Sequence, residues 1–273
     1  MADLYRGVGV ALLTMFGDDG AVDPGATGEL AAGLVERGMR AVLVAGTTGE
    51  AATLADAERC ALIEAVRAAI PAAVPVIAGT GAPSTRQAVA LTRDAVNAGA
   101  DAVLAWPPAA SRDLGEYFKA VADAAGPRPV LAYHFPRVYP PGIPVDQLAS
   151  LPVIGQKDSS GEPNRLLDEL AHYPGATYVG SSAVLGLAGP MGATGALLAL
   201  SNVEPERCVA AFAGDPAAQR GLADRHLAAS RGGASRHSPA TQRPGHGKHA
   251  RGTDVRGTGV VGKLVEQPVR VAR

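Results

Sequence analysis

The chain has 273 residues, which is enough for one large domain or for two of ordinary size. Apolar residues make up 47% of the sequence and aromatic residues only 4%, so Ala, Val and Leu must supply most of the core. The formal net charge of −1 gives no reason to expect a nucleic acid or an acidic membrane as the partner.

Short apolar runs alternate with helical patterns through the first 219 residues. The runs predict strands at 7–14, 41–45, 74–78, 102–105, 129–133, 153–157, 177–180 and 196–200. Helical patterns follow them at 24–37, 56–70, 84–98, 113–125, 145–150, 163–172, 182–189 and 204–213. Apolar runs without polar alternation, each followed by a helix, are typical of parallel strands buried on both faces. Eight such units predict an α/β fold, a closed (β/α)8 barrel, as a domain of residues 1–219.

An open, doubly wound sheet is the competing fold. Such sheets usually carry a glycine fingerprint directly after the first strand. The nearest candidate, residues 7–12 (Gly-Val-Gly-Val-Ala-Leu), lies inside the first predicted strand and not after it. The pattern therefore favours the barrel.

The C-terminal segment, residues 220–273, differs in composition from the rest of the chain. It holds 11 of the 25 Lys and Arg residues, only three acidic residues, and no aromatic residue. The helical pattern ends near Ala229, and Gly, Ser, Arg and His residues replace it. Such a segment cannot bury enough apolar surface to offset the entropy cost of ordering, which predicts a largely disordered basic tail. Without aromatic residues such a tail is a poor nucleic-acid binder. We expect His237, His246 and His249 to be solvated and not metal ligands.

Targeting signals and paired cysteines are not apparent. Residues 1–6 contain no apolar signal-peptide core, and no stretch reaches about 18 uninterrupted apolar residues. Cys60 and Cys208 lie in helix-like stretches without C-x-x-C spacing. We therefore expect a cytoplasmic protein without a membrane span, a disulfide framework or a zinc site.

Lys157 is the most informative single residue. The chain has only four lysines, and this one ends the short, mainly apolar run 152–156. Burial would lower the pKa of its ammonium, because apolar surroundings disfavour the charge, and the free amine could attack a carbonyl carbon to form a Schiff base. The alternative is a lysine that merely ends a strand and points its ammonium at water.

Polar groups also follow the second predicted strand. Residues 46–50 read Gly-Thr-Thr-Gly-Glu. The hydroxyls of Thr47 and Thr48, with the backbone N–H groups between Gly46 and Gly49, would form a cradle for a carboxylate or a phosphate. Taken alone, the two threonines could simply close a turn.

Tyr133 ends the fifth predicted strand, and its phenol could move protons for a reaction at Lys157. It could equally be a core tyrosine with a satisfied hydroxyl. His134 is the weaker candidate base, because successive side chains of a strand point to opposite faces. In a barrel the catalytic groups lie at the C-terminal ends of strands, so amine, phenol and cradle at three strand ends predict a lysine-dependent aldolase site.

Three segments carry a family resemblance: residues 46–50, residues 133–136 (Tyr-His-Phe-Pro) and residues 155–161 (Gly-Gln-Lys-Asp-Ser-Ser-Gly). They resemble the signature segments of the dihydrodipicolinate synthase and N-acetylneuraminate lyase family of class I aldolases. The turns at 180–182, 192–195 and 201–205 are similar to that family as well, so the resemblance covers the whole predicted barrel, from residue 7 to about 219.

The resemblance implies a lyase that binds a pyruvate-type 2-oxo acid as an imine on Lys157. It implies Tyr133 as the proton relay, Thr48 as the partner of the relay, and Thr47 with Thr48 as donors to the substrate carboxylate. It implies neither a metal nor an organic cofactor, and it implies a homo-oligomer. In the family a helical extension follows the barrel and helps the subunits associate, and the divergent residues 220–273 stand in its place.

Two departures from the synthases bear on the substrate. Their loop after strand four carries adjacent tyrosines, one of which enters a neighbouring subunit's site, whereas residues 105–110 here read Ala-Trp-Pro-Pro-Ala-Ala. They also place an arginine two residues after the proline of Tyr-x-x-Pro, where this chain has Val138 and places Arg137 one residue earlier. Both features favour cleavage or dehydration of a 2-oxo acid, such as one derived from a sugar acid.

Several alternatives remain open. The same imine would serve a condensation, including dihydrodipicolinate synthesis, or a 2-oxo sugar-acid dehydratase. A barrel enzyme could instead bind a phosphate at residues 46–49. A more distant alternative is a non-catalytic barrel whose basic tail engages RNA or a partner protein.

Overall fold

The computed structural model describes residues 3–109 and 113–231. Its eight strands are parallel and form one closed barrel in chain order, with helices between consecutive strands. The predicted (β/α)8 fold is therefore confirmed. Residues 232–273, which include most of the predicted basic tail and His237, His246 and His249, lie outside the described residues.

The strands are β1 Gly7–Ala11, β2 Val42–Val44, β3 Val76–Gly79, β4 Ala102–Ala105, β5 Val130–His134, β6 Gly155–Asp158, β7 Ala176–Val179 and β8 Gly195–Leu198. The helices are α1 Pro24–Glu36, α2 Asp56–Ala69, α3 Thr85–Asn97, α4 Leu114–Ala125, α5 Val145–Leu148, α6 Pro163–His172, α7 Leu185–Ala188, α8 Pro205–Phe212 and α9 Pro216–Arg231. Short 3-10 helices cover Ala51–Thr53, Ser182–Val184 and Leu200–Asn202.

Alternation along each strand divides the core into two parts. The barrel interior is filled by one cluster of buried side chains, which includes Leu43, Ile77, Leu104, Leu131 and Leu197. The residues between them belong to a larger cluster packed under the helices. Most strands are thus apolar on both faces, which is why they read as continuous apolar runs. Strand β6 is the exception, because its buried residues include Gln156, Lys157 and Asp158.

An aromatic pair closes the N-terminal end of the barrel. The rings of Tyr5 and Tyr178 stack with centroids 4.6 Å apart. The Tyr178 hydroxyl donates to the Tyr5 carbonyl at 3.0 Å, and the Tyr5 hydroxyl donates to the Ala196 carbonyl at 3.0 Å. These contacts fill the interior of the barrel near the start of β1 with aromatic side chains.

Side-chain caps define the starts of three helices. Asp23, Ser84 and Asp113 each accept a hydrogen bond from the backbone N–H three residues later, at the starts of α1, α3 and α4. An oxygen in this position satisfies one of the N–H groups that a helix leaves unpaired at its first turn.

Helix α9 runs across position 219 and is attached to the turn after β7. Gln219 accepts from the Gly186 N–H at 2.7 Å and donates to the Ser182 carbonyl at 3.0 Å, and the His226 ring lies 2.9 Å from the Ser182 hydroxyl. The first part of the C-terminal segment is thus helical and fixed to the barrel. Within residues 3–109 and 113–231, no helix is both long and apolar enough to cross a membrane, and no three His, Cys, Asp or Glu side chains form a group suited to a metal ion.

Candidate active site

Lys157 and Tyr133 lie side by side on neighbouring strands. The two residues are register partners between β5 and β6, so their side chains point into the barrel at the same level. The Lys157 Nζ atom lies 4.7 Å from the centroid of the Tyr133 ring. The pairing expected from two strand ends is therefore present in the fold.

Lys157 is buried, with 5% of its surface exposed. Burial in the barrel lowers the pKa of its ammonium from the usual 10.5 to about 7, because little water is present to solvate the charge. About half of the molecules then carry a neutral amine at neutral pH. Only the neutral amine has the lone pair that attacks a carbonyl carbon.

Gly180 leaves space for the Lys157 side chain. A methyl group in place of its hydrogen would lie 2.8 Å from the Lys157 Cε atom and 2.0 Å from the Ser159 Oγ atom. The absence of a side chain at the end of β7 therefore sets the path of the Lys157 stem. Ser159, two residues after Lys157, lies beside the same glycine.

Tyr133 is held as a neutral phenol. Burial raises its pKa well above the usual 10, and this outweighs the hydrogen bonds with Ser159 and Thr47, which act in the opposite direction. A neutral phenol in contact with other hydroxyls can accept one proton while it passes on another.

The turn after β2 exposes its N–H groups. Ala45 and Glu50 both adopt positive φ, 51° and 59°, at its two ends. The Thr14 hydroxyl fixes the turn by donating to the Gly49 carbonyl at 2.6 Å. Among the described residues, none accepts a hydrogen bond from the backbone N–H of Thr47 or Thr48. These N–H groups are therefore available to an anion.

Thr47 connects this turn to a second phenol. Its hydroxyl lies 2.9 Å from the hydroxyl of Tyr139, in the loop after β5. Tyr139 stacks on Trp106, with ring centroids 4.2 Å apart and planes 8° apart. Sequence reasoning missed Tyr139, because it lies in a proline-rich loop with no periodic pattern. Ser159 was detectable, since it lies two residues from Lys157 and the strand period is two.

His134 belongs to the outer face of the barrel. Its Nδ1 atom accepts a hydrogen bond from the Ile143 N–H at 2.9 Å. Burial, helped by the nearby Arg165 cation, lowers its pKa to about 4, so it is neutral at pH 7. The expectation that it faces away from Tyr133 is confirmed.

A buried amine of lowered pKa at the mouth of a (β/α)8 barrel, beside a neutral phenol, is the arrangement of a class I aldolase. The chain is an enzyme of this class, an imine-forming lyase. Comparison with known proteins narrows the class. Residues 4–225 match the dihydrodipicolinate synthetase family, and the chain belongs to that family.

Individual relatives agree with this membership. The 4-hydroxy-tetrahydrodipicolinate synthase of Thioalkalivibrio sulfidiphilus is 35% identical over 236 residues, which cover 81% of this chain and 80% of the relative. Two crystal structures have the same fold. The chloride-inhibited dihydrodipicolinate synthase of Acinetobacter baumannii complexed with pyruvate has a TM-score of 0.76 at 28% identity, with 84% of each chain covered. The synthase of Aquifex aeolicus has a TM-score of 0.74 at 29% identity, also with 84% of each chain covered.

Proposed function

We propose that the protein is a lyase that cleaves or forms a carbon–carbon bond next to a pyruvate-type 2-oxo acid, through an imine on Lys157. The observation that carries the proposal is the buried Lys157 amine, whose pKa of about 7 leaves it nucleophilic at neutral pH. The Acinetobacter relative was crystallised with pyruvate, which supports this class of substrate.

The chemistry begins with attack of the Lys157 amine on the 2-carbonyl carbon of the substrate. The resulting carbinolamine loses its hydroxyl as water when a proton reaches that oxygen, and the nitrogen lone pair forms the C=N bond. The protonated imine then accepts the electron pair released when the bond between carbons 3 and 4 breaks. Tyr133 is the proposed proton donor and acceptor for these steps, since it is the phenol beside Lys157.

The substrate carboxylate is proposed to bind at residues 46–49. The free N–H groups of Thr47 and Thr48 and the Thr48 hydroxyl are suited to an anion. Gly46 and Gly49 leave the backbone accessible. The family resemblance implies Thr48 as the partner of the Tyr133 relay, whereas the contacts of Thr47 with Tyr139 and Tyr133 support Thr47 for that part of the role.

Two groups of reactions compete for this imine: cleavage or dehydration, and condensation. The residues around Tyr133 favour cleavage or dehydration of a sugar-derived 2-oxo acid: Trp106 and Tyr139 stack at the mouth of the site, and Val138 stands where the synthases place an arginine. The names of the curated relatives favour the second candidate, a condensation that yields 4-hydroxy-tetrahydrodipicolinate.

A substrate panel tests the proposal and separates these candidates. Pyruvate release and the formation of dehydrated product would both be followed for a series of 2-oxo sugar acids of different length and configuration, beside an assay for 4-hydroxy-tetrahydrodipicolinate formation. Lys157→Met is the matched inactive control, because it keeps the length of the side chain and removes the amine. Turnover of no 2-oxo acid in either direction by the wild-type enzyme would contradict the proposal.

The remaining parts of the proposal concern the location of the enzyme, its oligomeric state and its cofactor requirement. We propose a cytoplasmic homo-oligomer that needs no metal or organic cofactor, on the basis of its family. Light scattering on the full chain tests the homo-oligomer, and activity after dialysis against a chelator tests the independence from a metal.

A further inference from the structure

Tyr139 touches the proposed proton path without touching Lys157. Its hydroxyl lies 2.9 Å from the Thr47 hydroxyl, and the Thr47 side chain also interacts with the Tyr133 hydroxyl. The three hydroxyls therefore form a chain from beside the lysine, through Thr47, to a residue that is only partly buried in a surface loop. All three belong to one polypeptide.

The position of Tyr139 is fixed by packing. Its ring stacks on Trp106 at 4.2 Å and meets the Tyr133 ring edge-on at 5.8 Å. The Trp106 carbonyl in turn accepts a hydrogen bond from the Tyr117 hydroxyl at 2.7 Å. Gly81 leaves the space that the indole occupies, since an added methyl group would lie 2.3 Å from the Trp106 ring. These contacts fix the Tyr139 ring, and with it the position of its hydroxyl next to Thr47.

The charge of Arg59, a partly buried residue, acts on Tyr139. Arg59, in α2, donates to the Gly79 carbonyl at 3.3 Å and to the Ala51 carbonyl. Burial raises the pKa of Tyr139, while the Thr47 hydrogen bond and the Arg59 charge act to lower it. The Thr47 hydrogen bond and the Arg59 charge thus offset part of the cost of negative charge on this phenol during proton transfer.

We infer that Tyr139 is the positioning residue that connects Tyr133, through Thr47, to solvent protons, so that the relay is completed within a single chain. This inference rests on the function proposed above and adds a residue to it. Tyr139 acts through Thr47 and makes no contact with the reacting atoms.

The proton transfers balance along this chain. When the carbinolamine loses water, Tyr133 gives its proton to the departing hydroxyl and takes the Thr47 proton. Thr47 takes the Tyr139 proton, and Tyr139 is reprotonated from water. Each phenol and hydroxyl ends as it began, and one solvent proton has been consumed. The reverse sequence carries a proton from carbon 3 of the imine to solvent.

Hydrogen–deuterium exchange at the methyl group of pyruvate measures this transfer and needs no second substrate. The full-length enzyme would be incubated with pyruvate in D₂O and the exchange followed by NMR, while borohydride trapping counts the imine formed. Tyr139→Phe keeps the ring stacked on Trp106 and removes only the hydroxyl. Tyr173→Phe is the matched control, because this tyrosine is buried on the helix side of the barrel wall and its hydroxyl has no hydrogen-bond partner among the described residues.

We expect exchange to fall by about 10-fold or more in Tyr139→Phe, as for removal of a general acid–base group, while trapping still reaches completion. Tyr173→Phe should match the wild type. Thr47→Val should slow exchange as Tyr139→Phe does, Thr47→Ser should restore most of the rate, and the Thr47→Val/Tyr139→Phe double variant should be no slower than the slower single variant. Non-additivity is expected because both changes interrupt one chain.

Two results would overturn the inference and leave the proposed function standing. One is an exchange rate in Tyr139→Phe within about 2-fold of the wild type, well short of an acid–base effect. The other is a parallel fall of trapping and exchange, which would mean that Tyr139 only shapes the substrate pocket. If the wild-type enzyme neither traps nor exchanges pyruvate, the proposed function fails, and the inference fails with it.

Discussion

Replacing Lys157 with Met should make the protein more stable, because the lysine is buried at a cost to folding. A pKa lowered from 10.5 to about 7 means that the folded state binds the proton less tightly than the unfolded state does. At about 1.4 kcal/mol for each tenfold change in affinity, the cost approaches about 5 kcal/mol when both states are protonated. The contact between the ammonium and the Tyr133 ring is lost in the variant, which leaves a net gain of roughly 3–4 kcal/mol.

The gain in stability of Lys157→Met over the wild type should shrink as the pH rises. Below pH 7 both states carry the charge and the full cost applies. Between pH 7 and 10.5 the folded lysine is neutral and the unfolded one is charged, so the stability of the wild type rises with pH relative to the variant. Above about 10.5 the ionisation cost is absent, and the difference between the two proteins should have shrunk to packing effects.

Chemical unfolding at pH 6, 7.5, 9 and 10 would measure the difference in unfolding free energy between Lys157→Met and the wild type. At pH 6 this difference corresponds to a Tm that is higher by about 10 °C in the variant. Lys119→Met is the control, since the Lys119 side chain is 70% exposed and pairs with Asp123. It should change stability by less than about 0.5 kcal/mol at every pH. A Lys157→Met protein that is less stable than the wild type at pH 6, or a difference that does not narrow towards pH 10, would refute the reasoning.

Three further predictions follow from the same geometry. Gly180→Ala forces a methyl group to 2.8 Å from the Lys157 Cε atom, so kcat should fall at least about 10-fold, with incomplete borohydride trapping of pyruvate; full activity would show that the lysine does not follow this path. Tyr133→Phe should lower kcat by about 100-fold or more with KM changed far less, and steady-state kinetics that give the opposite split would assign the phenol to binding. The initial rate of pyruvate trapping should rise with pH, with a midpoint near pH 7, as the Lys157 ammonium loses its proton; a midpoint near pH 10 would contradict burial of the amine.

The barrel and the lysine could be predicted because both rest on local, repeated patterns. A parallel strand buried on both faces must be apolar throughout, and each strand in a (β/α)8 barrel delivers its last residues to the same end. That rule is sufficient to place Lys157, Tyr133 and the turn at residues 46–49 at one end of the barrel. Strand periodicity also predicts that His134 faces outward, as it does.

Other parts of the site depend on geometry that the sequence does not encode locally. Nothing in the Thr-Thr pair indicates which hydroxyl meets a phenol, because the backbone twist at Ala45 and Glu50 decides it. Tyr139 reaches Thr47 across 92 positions of the chain, from a loop whose path is set by stacking on Trp106. Long-range contacts between irregular segments have no periodicity to detect.

The claim that Lys157 forms an imine with a 2-oxo acid is tested most directly by treating the wild-type enzyme with pyruvate and borohydride and mapping the modified peptide by mass spectrometry. We predict one reduced pyruvate adduct per chain, located on Lys157, and no adduct on the exposed Lys119. An unmodified Lys157 under these conditions, or an adduct spread over other lysines, would contradict this claim.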